Sequence, residues 1–269
     1  MIYLSEFIQL DFGSVSDKFG VENCFLQEWY HTDMIRLQAW SNSATDTLTA
    51  KVINLATGAE TAVTLTRTQV GSRYYFDGVI SMLADGIYYV ELTSGSGMKW
   101  ECEPFSVSSS RDVLETTSLI RFSSSTDILP FNSRFNQGAI IFEWRIKAGL
   151  KPNGYQPKIS DETYRTQTQE GRHLYSVPFN VWSLTVGDAV GVPYWYADLL
   201  NKVLCLDLVN LDDWEIRRSD SDVPELTETF TNSQMFILRQ NVELIEGADA
   251  RIIRNSEYDD TEYNNDYAI

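Results

Sequence analysis

The sequence predicts a mainly β protein: an immunoglobulin-like β-sandwich over 1–108, then a mostly β, α+β second domain over 109–245 with one amphipathic helix near 193–205. Three observations lead there. From Asp33 onward, short runs of alternating apolar and polar residues recur between turn residues, at the spacing of sandwich strands. A serine-rich polar stretch from Ser108 to Ser118 separates two such sets, as a domain boundary would. After Pro193 the apolar period changes from two residues to that of a helix.

In the first domain, DMIRLQAW and TLTAKVINL lead to a hairpin loop at Asn54 to Gly58, followed by ETAVTLTR. Tyr74, Phe76 and Ile80 share one parity, as do Tyr88, Val90 and Leu92, so one face of each strand is expected to be buried. The run MKWECEPFSV keeps Trp100 and Cys102 on one side and then meets Pro104, which fits an edge or a bulge better than a central strand.

The clearest strand of the second domain is AIIFEWRIK. Ile140, Phe142, Trp144 and Ile146 alternate with Glu143, Arg145 and Lys147, so it is expected to have a dry side and a wet side. The following KPNGYQPKISDETYRTQTQEGR has no helical period and reads as a long hairpin arm or loop, with Tyr155 and Tyr164 as candidate assembly contacts. VPFNVWSLTV is apolar on both faces, which requires cover on both sides or a register change at a bulge.

Beyond Gly187 and Gly191, Pro193 suits a first helical turn. Trp195, Leu199 and Val203 form one stripe, with Tyr196, Leu200 and Leu204 beside it and Asp198, Asn201 and Lys202 outward. Trp144, Trp182, Trp195, Leu199 and Val203 are the candidate packing residues. CLDLV, DWEIRRS, ELTETF and QMFILRQNVELI read as further strands. Residues 246–269 form an acidic tail; Tyr258, Tyr263 and Tyr267 would anchor it if it orders against a neighbouring subunit.

Composition narrows the function classes. The chain has 269 residues, enough for two ordinary domains, and a formal charge of −17 that repels a phosphate backbone, so no direct nucleic-acid partner is expected. Glu6 and Asp11 stand where a secretory leader needs basic and then apolar residues, and no apolar run reaches membrane-spanning length. Cys24, Cys102 and Cys205 are odd in number and widely spaced, which suggests buried reduced thiols in a protein assembled in cytoplasm.

Catalytic signals are weak. The two histidines, His31 and His173, sit in no known signature, and no nucleophile elbow, phosphate loop or zinc motif is present. Asp220, Asp222 and Glu225 lack the glycine and late glutamate of a calcium loop and read as turn carboxylates. No catalytic residue, cofactor or metal is therefore assigned. Trp29, Tyr30, Trp40, Tyr75, Tyr89 and Trp100 supply material for an alternative, a carbohydrate-binding surface or adhesion module.

The order IIFEWRIKAGL, Pro157, the EGR at 170–172, VPFNVWSLTVGD and VPYWYADLLNKVLCLDLV resembles virion proteins of tailed phages that infect Bacteroidetes. CFLQEWYHTDMIRLQAWSN and the closing WECEPFSV resemble the front domain of the same proteins, so the likeness covers most of 20–245. It implies a non-enzymatic tail or neck component, such as a ring, collar or baseplate subunit, without cofactor. Such a protein would associate with copies of itself and other virion proteins, with no membrane, and be located in the virion after assembly in the host cytoplasm.

Overall fold

The computed structural model describes residues 1–12, 25–126, 133–165, 171–187, 190–219, 224–229 and 235–245, with the backbone alone over 151–165 and 171–180. Over these residues the protein is mainly β. The front half contains β1 (Ile2–Leu4), β2 (Gln27–Tyr30), β3 (Ile35–Ser41), β4 (Leu48–Asn54), β5 (Glu60–Val63), β6 (Thr66–Val70), β7 (Arg73–Ile80), β8 (Gly86–Ser94), β9 (Lys99–Glu101) and β10 (Phe105–Ser108). One sheet has the order β1-β3-β7-β6 and the other β2-β10-β8-β4-β5, with β9 also on β8.

Alternation decides which side chains meet between these sheets. Ile35, Leu37 and Ala39 of β3, with Phe76 and Ile80 of β7, are buried in one cluster with Ala50 and Val52 of β4, Val90 and Leu92 of β8, and Phe105 and Val107 of β10. The turn after β4 forms because the Asn54 carboxamide oxygen accepts the N–H groups of Ala56 and Thr57 at 2.9 and 3.0 Å, while Gly58 takes the φ of +68° that closes it. Pro104 lies in the break between β9 and β10, two strands on the same neighbour, β8; the ladder stops where a donor is missing.

The second half adds α1 (Arg111–Thr116), β11 (Ser118–Ser123), β12 (Phe142–Ile146), β13 (Ala148–Arg165), β14 (Gly171–Val186), β15 (Val192–Pro193), α2 (Tyr194–Val203), β16 (Leu208–Leu211), β17 (Trp214–Arg218), β18 (Glu225–Glu228) and β19 (Met235–Leu244). Its sheet runs β12-β11-β16-β17-β19-β14-β13, and β15 and β18 pair with β19.

Four details differ from the expectations. The serine-rich stretch carries a helix, α1, which Ser110 caps by accepting the Asp112 N–H; it buries no residue, so no apolar stripe announced it. The wet side of β12 is dry, because the front half covers it: Glu143 and Arg145 are buried, like Phe142, Trp144 and Ile146 on the other side. Pro193 is the N-cap of α2, one residue before the helix. Cys205 is exposed, since it follows the last buried turn of α2, whereas Cys102 is buried and its thiol is pushed up to about 12 by that burial.

Candidate functional site

β13 and β14 are the longest strands, at 18 and 16 residues, and they continue together past the rest of their sheet. Val181–Val186 of β14 pair with β19, whereas among the described residues Gly171–Asn180 pair with β13 alone, from Pro157↔Asn180 out to Arg165↔Gly171. The result is a two-stranded ribbon rooted in a nine-stranded sheet. At about 3.3 Å per residue its reach is roughly 30 Å.

The sequence accounts for the root. Lys151 pairs with Ser183 and Gln156 with Val181, so Pro152, Asn153, Gly154 and Tyr155 form a bulge opposite Trp182. Above it both faces of β14 are covered, Leu184 and Val186 in the core and Thr185 on the other side, and Val181 just below it is buried too. A two-stranded hairpin on its own is marginally stable in water, and this ribbon draws its support from the sheet at its root.

The body that carries the ribbon is held at a polar junction between the two halves. Arg145 of β12 forms a bidentate pair with Asp33, just before β3, with Nε donating at 2.6 Å and Nη2 at 2.7 Å. Both side chains are nearly inaccessible, at 6% and 3%. The remaining bonding capacity is met locally. Arg145 Nη1 donates to Thr117, the Tyr30 N–H donates to Asp33, and the Arg145 carbonyl accepts from Gln27 Nε2 at 2.5 Å and more weakly from the Tyr196 hydroxyl at 3.5 Å. Next to it, Glu143 accepts the Met34 N–H at 2.9 Å and the Arg121 Nε–H at 3.0 Å.

Apolar groups complete the joint. Phe7, from the N-terminal segment, packs on Phe122 and Phe135 with ring centres 6.0 and 5.2 Å away, and Phe25 packs on Tyr196 at 5.3 Å. Each polar atom of the Asp33–Arg145 pair has a partner, so the desolvation that its burial costs is offset within the joint.

The predicted residues divide by location. Trp144, Leu199 and Val203 are buried, and Trp144 lies 4.3 Å from the Tyr196 ring; Trp182 and Trp195 are half-buried. Tyr155 and Tyr164 are on β13, within the ribbon and at its bulge. Tyr258, Tyr263 and Tyr267 lie outside the described residues, as do Cys24, Asp220 and Asp222. His31 packs edge-on to Tyr30 at 4.6 Å, and His173 stands on β14 opposite Thr163.

A groove of about 200 Å³ is lined by Met1, Asp46, Thr47, Ser96, Met98 and Trp100. Its carboxylate, Asp46, is already engaged by Ser41 and the Met1 amino group, and both hold it below the usual aspartate value. Of the aromatic residues considered for sugar stacking, Trp29 and Tyr75 are buried. Trp40 is also buried, with Tyr3 stacked at 4.5 Å and the Arg73 guanidinium at 4.6 Å from its ring. Sequence reasoning missed the Asp33–Arg145 pair, because alternation alone sent Arg145 to solvent.

Among the described residues no helix is long and apolar enough to cross a membrane, and no cluster of three metal-binding side chains occurs. No protein-family model matches the chain, and no curated protein matches it.

Proposed function

We propose that this chain is a structural, non-enzymatic subunit of a tailed-phage virion, a ring, collar or baseplate component of the tail or neck that acts by assembling with copies of itself and with other virion proteins. The observation that carries the reading is the ribbon: among the described residues, Gly171–Asn180 and their partners on β13 have no other strand beside them. The shared core and the buried Asp33–Arg145 pair support it, because a ring subunit must hold its contact surfaces at a fixed angle for the ring to close. The front-half strand order, β1-β3-β7-β6 against β2-β10-β8-β4-β5, supports an immunoglobulin-like sandwich as the front domain.

Charge is consistent with this role. The stretch 148–186 holds four basic residues (Lys151, Lys158, Arg165, Arg172) and three acidic ones (Asp161, Glu162, Glu170), so the chain's −17 arises wholly outside it. Free subunits repel through their bodies, while a near-neutral ribbon can approach an acidic neighbour.

The test is to replace 152–179 by a short glycine-containing turn and compare masses by light scattering and negative-stain images. Assembly of the full chain, with a folded monomer for the shortened one, is the expected result. A full chain that stays monomeric at every concentration and is missing from purified particles would refute the reading.

A further inference from the structure

Buried polar side chains are almost always hydrogen-bonded, so one that bonds nothing in the protein points to a partner of another kind. Gln9 is such a residue. It lies in the N-terminal segment with its residue at 0% exposure, and neither its Nε2 nor its Oε1 has a hydrogen-bond partner in the protein. Burying a carboxamide without partners costs free energy at both atoms, a cost that an apolar side chain of the same shape would not carry.

A second unmet group lines the same cavity. Gln27 of β2 is 6% exposed and commits its Nε2 to the carbonyls of Arg145 at 2.5 Å and Glu28 at 3.1 Å, while its Oε1 accepts from no protein group. The cavity that Gln9 and Gln27 share measures about 10 Å³ and has Leu10, Phe25, Phe105 and Trp195 as apolar walls. That is about the space one water molecule needs, and it is too small for an organic ligand.

The bonding capacities match as well. A water molecule has two O–H donors and two lone pairs. One O–H can donate to Gln9 Oε1 and the other to Gln27 Oε1, while a lone pair accepts from Gln9 Nε2. The N–H and C=O of a carboxamide share one edge, so a single water reaches both. About three partners is the usual number for a buried water. A cation is the competing occupant, since Asp11 and Glu103 also line the cavity. Oxygens alone would hold it, and the Gln9 N–H groups would stay unmet.

We propose that Gln9 and Gln27 hold one internal water molecule, and that this water fastens the N-terminal segment to the joint between the halves. The bonds run from Gln9 through the water to Gln27, and from Gln27 Nε2 to the Arg145 carbonyl of β12. The same segment sets Phe7 against Phe122 and Phe135 and brings the Ser5 hydroxyl to 2.5 Å from that of Ser133. The water is a further tie across the joint, and it stands independently of the assembly reading.

The test joins a high-resolution crystal structure of the full chain to one substitution. The structure should show solvent density within about 3.2 Å of Gln9 Nε2, Gln9 Oε1 and Gln27 Oε1. Gln9→Met keeps the length of the side chain and removes both amide atoms. A held water predicts that this variant loses one long-lived internal water in oxygen-17 relaxation dispersion. Its urea midpoint should also fall below the parent's, because Gln27 Oε1 is left without its donor. A midpoint that rises while the number of internal waters stays the same is what removing an unsatisfied amide would give, and it overturns the inference. Density with oxygen contacts of about 2.3–2.6 Å that avoids Nε2 marks a cation and overturns it too. If Gln9→Met does not fold, the density around the two amides of the parent decides alone.

Discussion

Asp33 and Arg145 are separated by 112 residues and meet at 2.6 Å out of reach of solvent. Removing one partner leaves the other charge buried without compensation, at a cost of about 3–5 kcal/mol. Asp33→Ala should lose that much in urea unfolding at pH 7. Asp33→Leu/Arg145→Met, which removes both charges and keeps the volume, should recover most of it; a double variant no better than the single would mean that the geometry at Thr117 and Tyr30, rather than the charge, holds the joint.

Asp77 on β7 is a second case in which burial and pairing compete. It accepts from Gln38 at 2.7 Å and lies 3.6 Å from Arg134, yet burial outweighs these and raises its carboxyl above the ordinary aspartate value. A raised folded-state value favours the protonated form. Its stabilising contribution is complete below the unfolded-state value and is lost as pH rises through the folded one. Relative to Asp77→Asn, the parent protein should therefore gain stability as pH falls from 7 toward about 4. The opposite trend in pH-dependent unfolding midpoints would show that the arginines prevail.

Among the elements, α2 shows how far periodicity carries. The apolar stripe after Pro193 specifies a helix, and the helix forms over Tyr194–Val203 with Tyr196, Leu199, Leu200 and Val203 buried. Its first-turn aromatics differ in depth. Tyr196 is enclosed by Trp144 and Phe25, while Trp195 stays half-buried, 6.3 Å from Phe25. Trp144→Ala should cost about 3–5 kcal/mol as a fully buried aromatic. Trp195→Ala should cost clearly less, and equal losses in thermal unfolding would show that Trp195 is as enclosed as its neighbour.

The ribbon was legible as an extended excursion, because its stretch lacks helical period and is punctuated by Pro152, Gly154 and Pro157. Its pairing was not. Which residue of β14 faces which residue of β13 depends on a bulge at Lys151/Gln156 and a second irregularity at Glu162/Thr163, and no local pattern announces how many residues each absorbs.

For the whole molecule, the consequence of the junction is cooperativity. Buried residues from both halves belong to one apolar cluster that includes Phe7, Trp29, Phe122, Trp144 and Tyr196. The body should then unfold in a single transition, with tryptophan fluorescence and far-ultraviolet circular dichroism superimposing through urea. Residues 1–108 alone should be strongly destabilised, having lost the partners of Phe7, Gln27, Asp33 and Met34. Two separated transitions would show that each half is self-sufficient.

The sequence alone determined what is periodic: mainly β structure, the hairpin at Asn54 to Gly58, the buried parity of Tyr88, Val90 and Leu92, and the helix after Pro193. Alternation and turn chemistry are local, so residues a few positions apart encode them. The tertiary structure alone decided that Glu143 and Arg145 are buried, that the two halves share a core, and that β14 outruns β19. Each depends on what covers a face or an edge, and the covering group comes from a distant part of the chain.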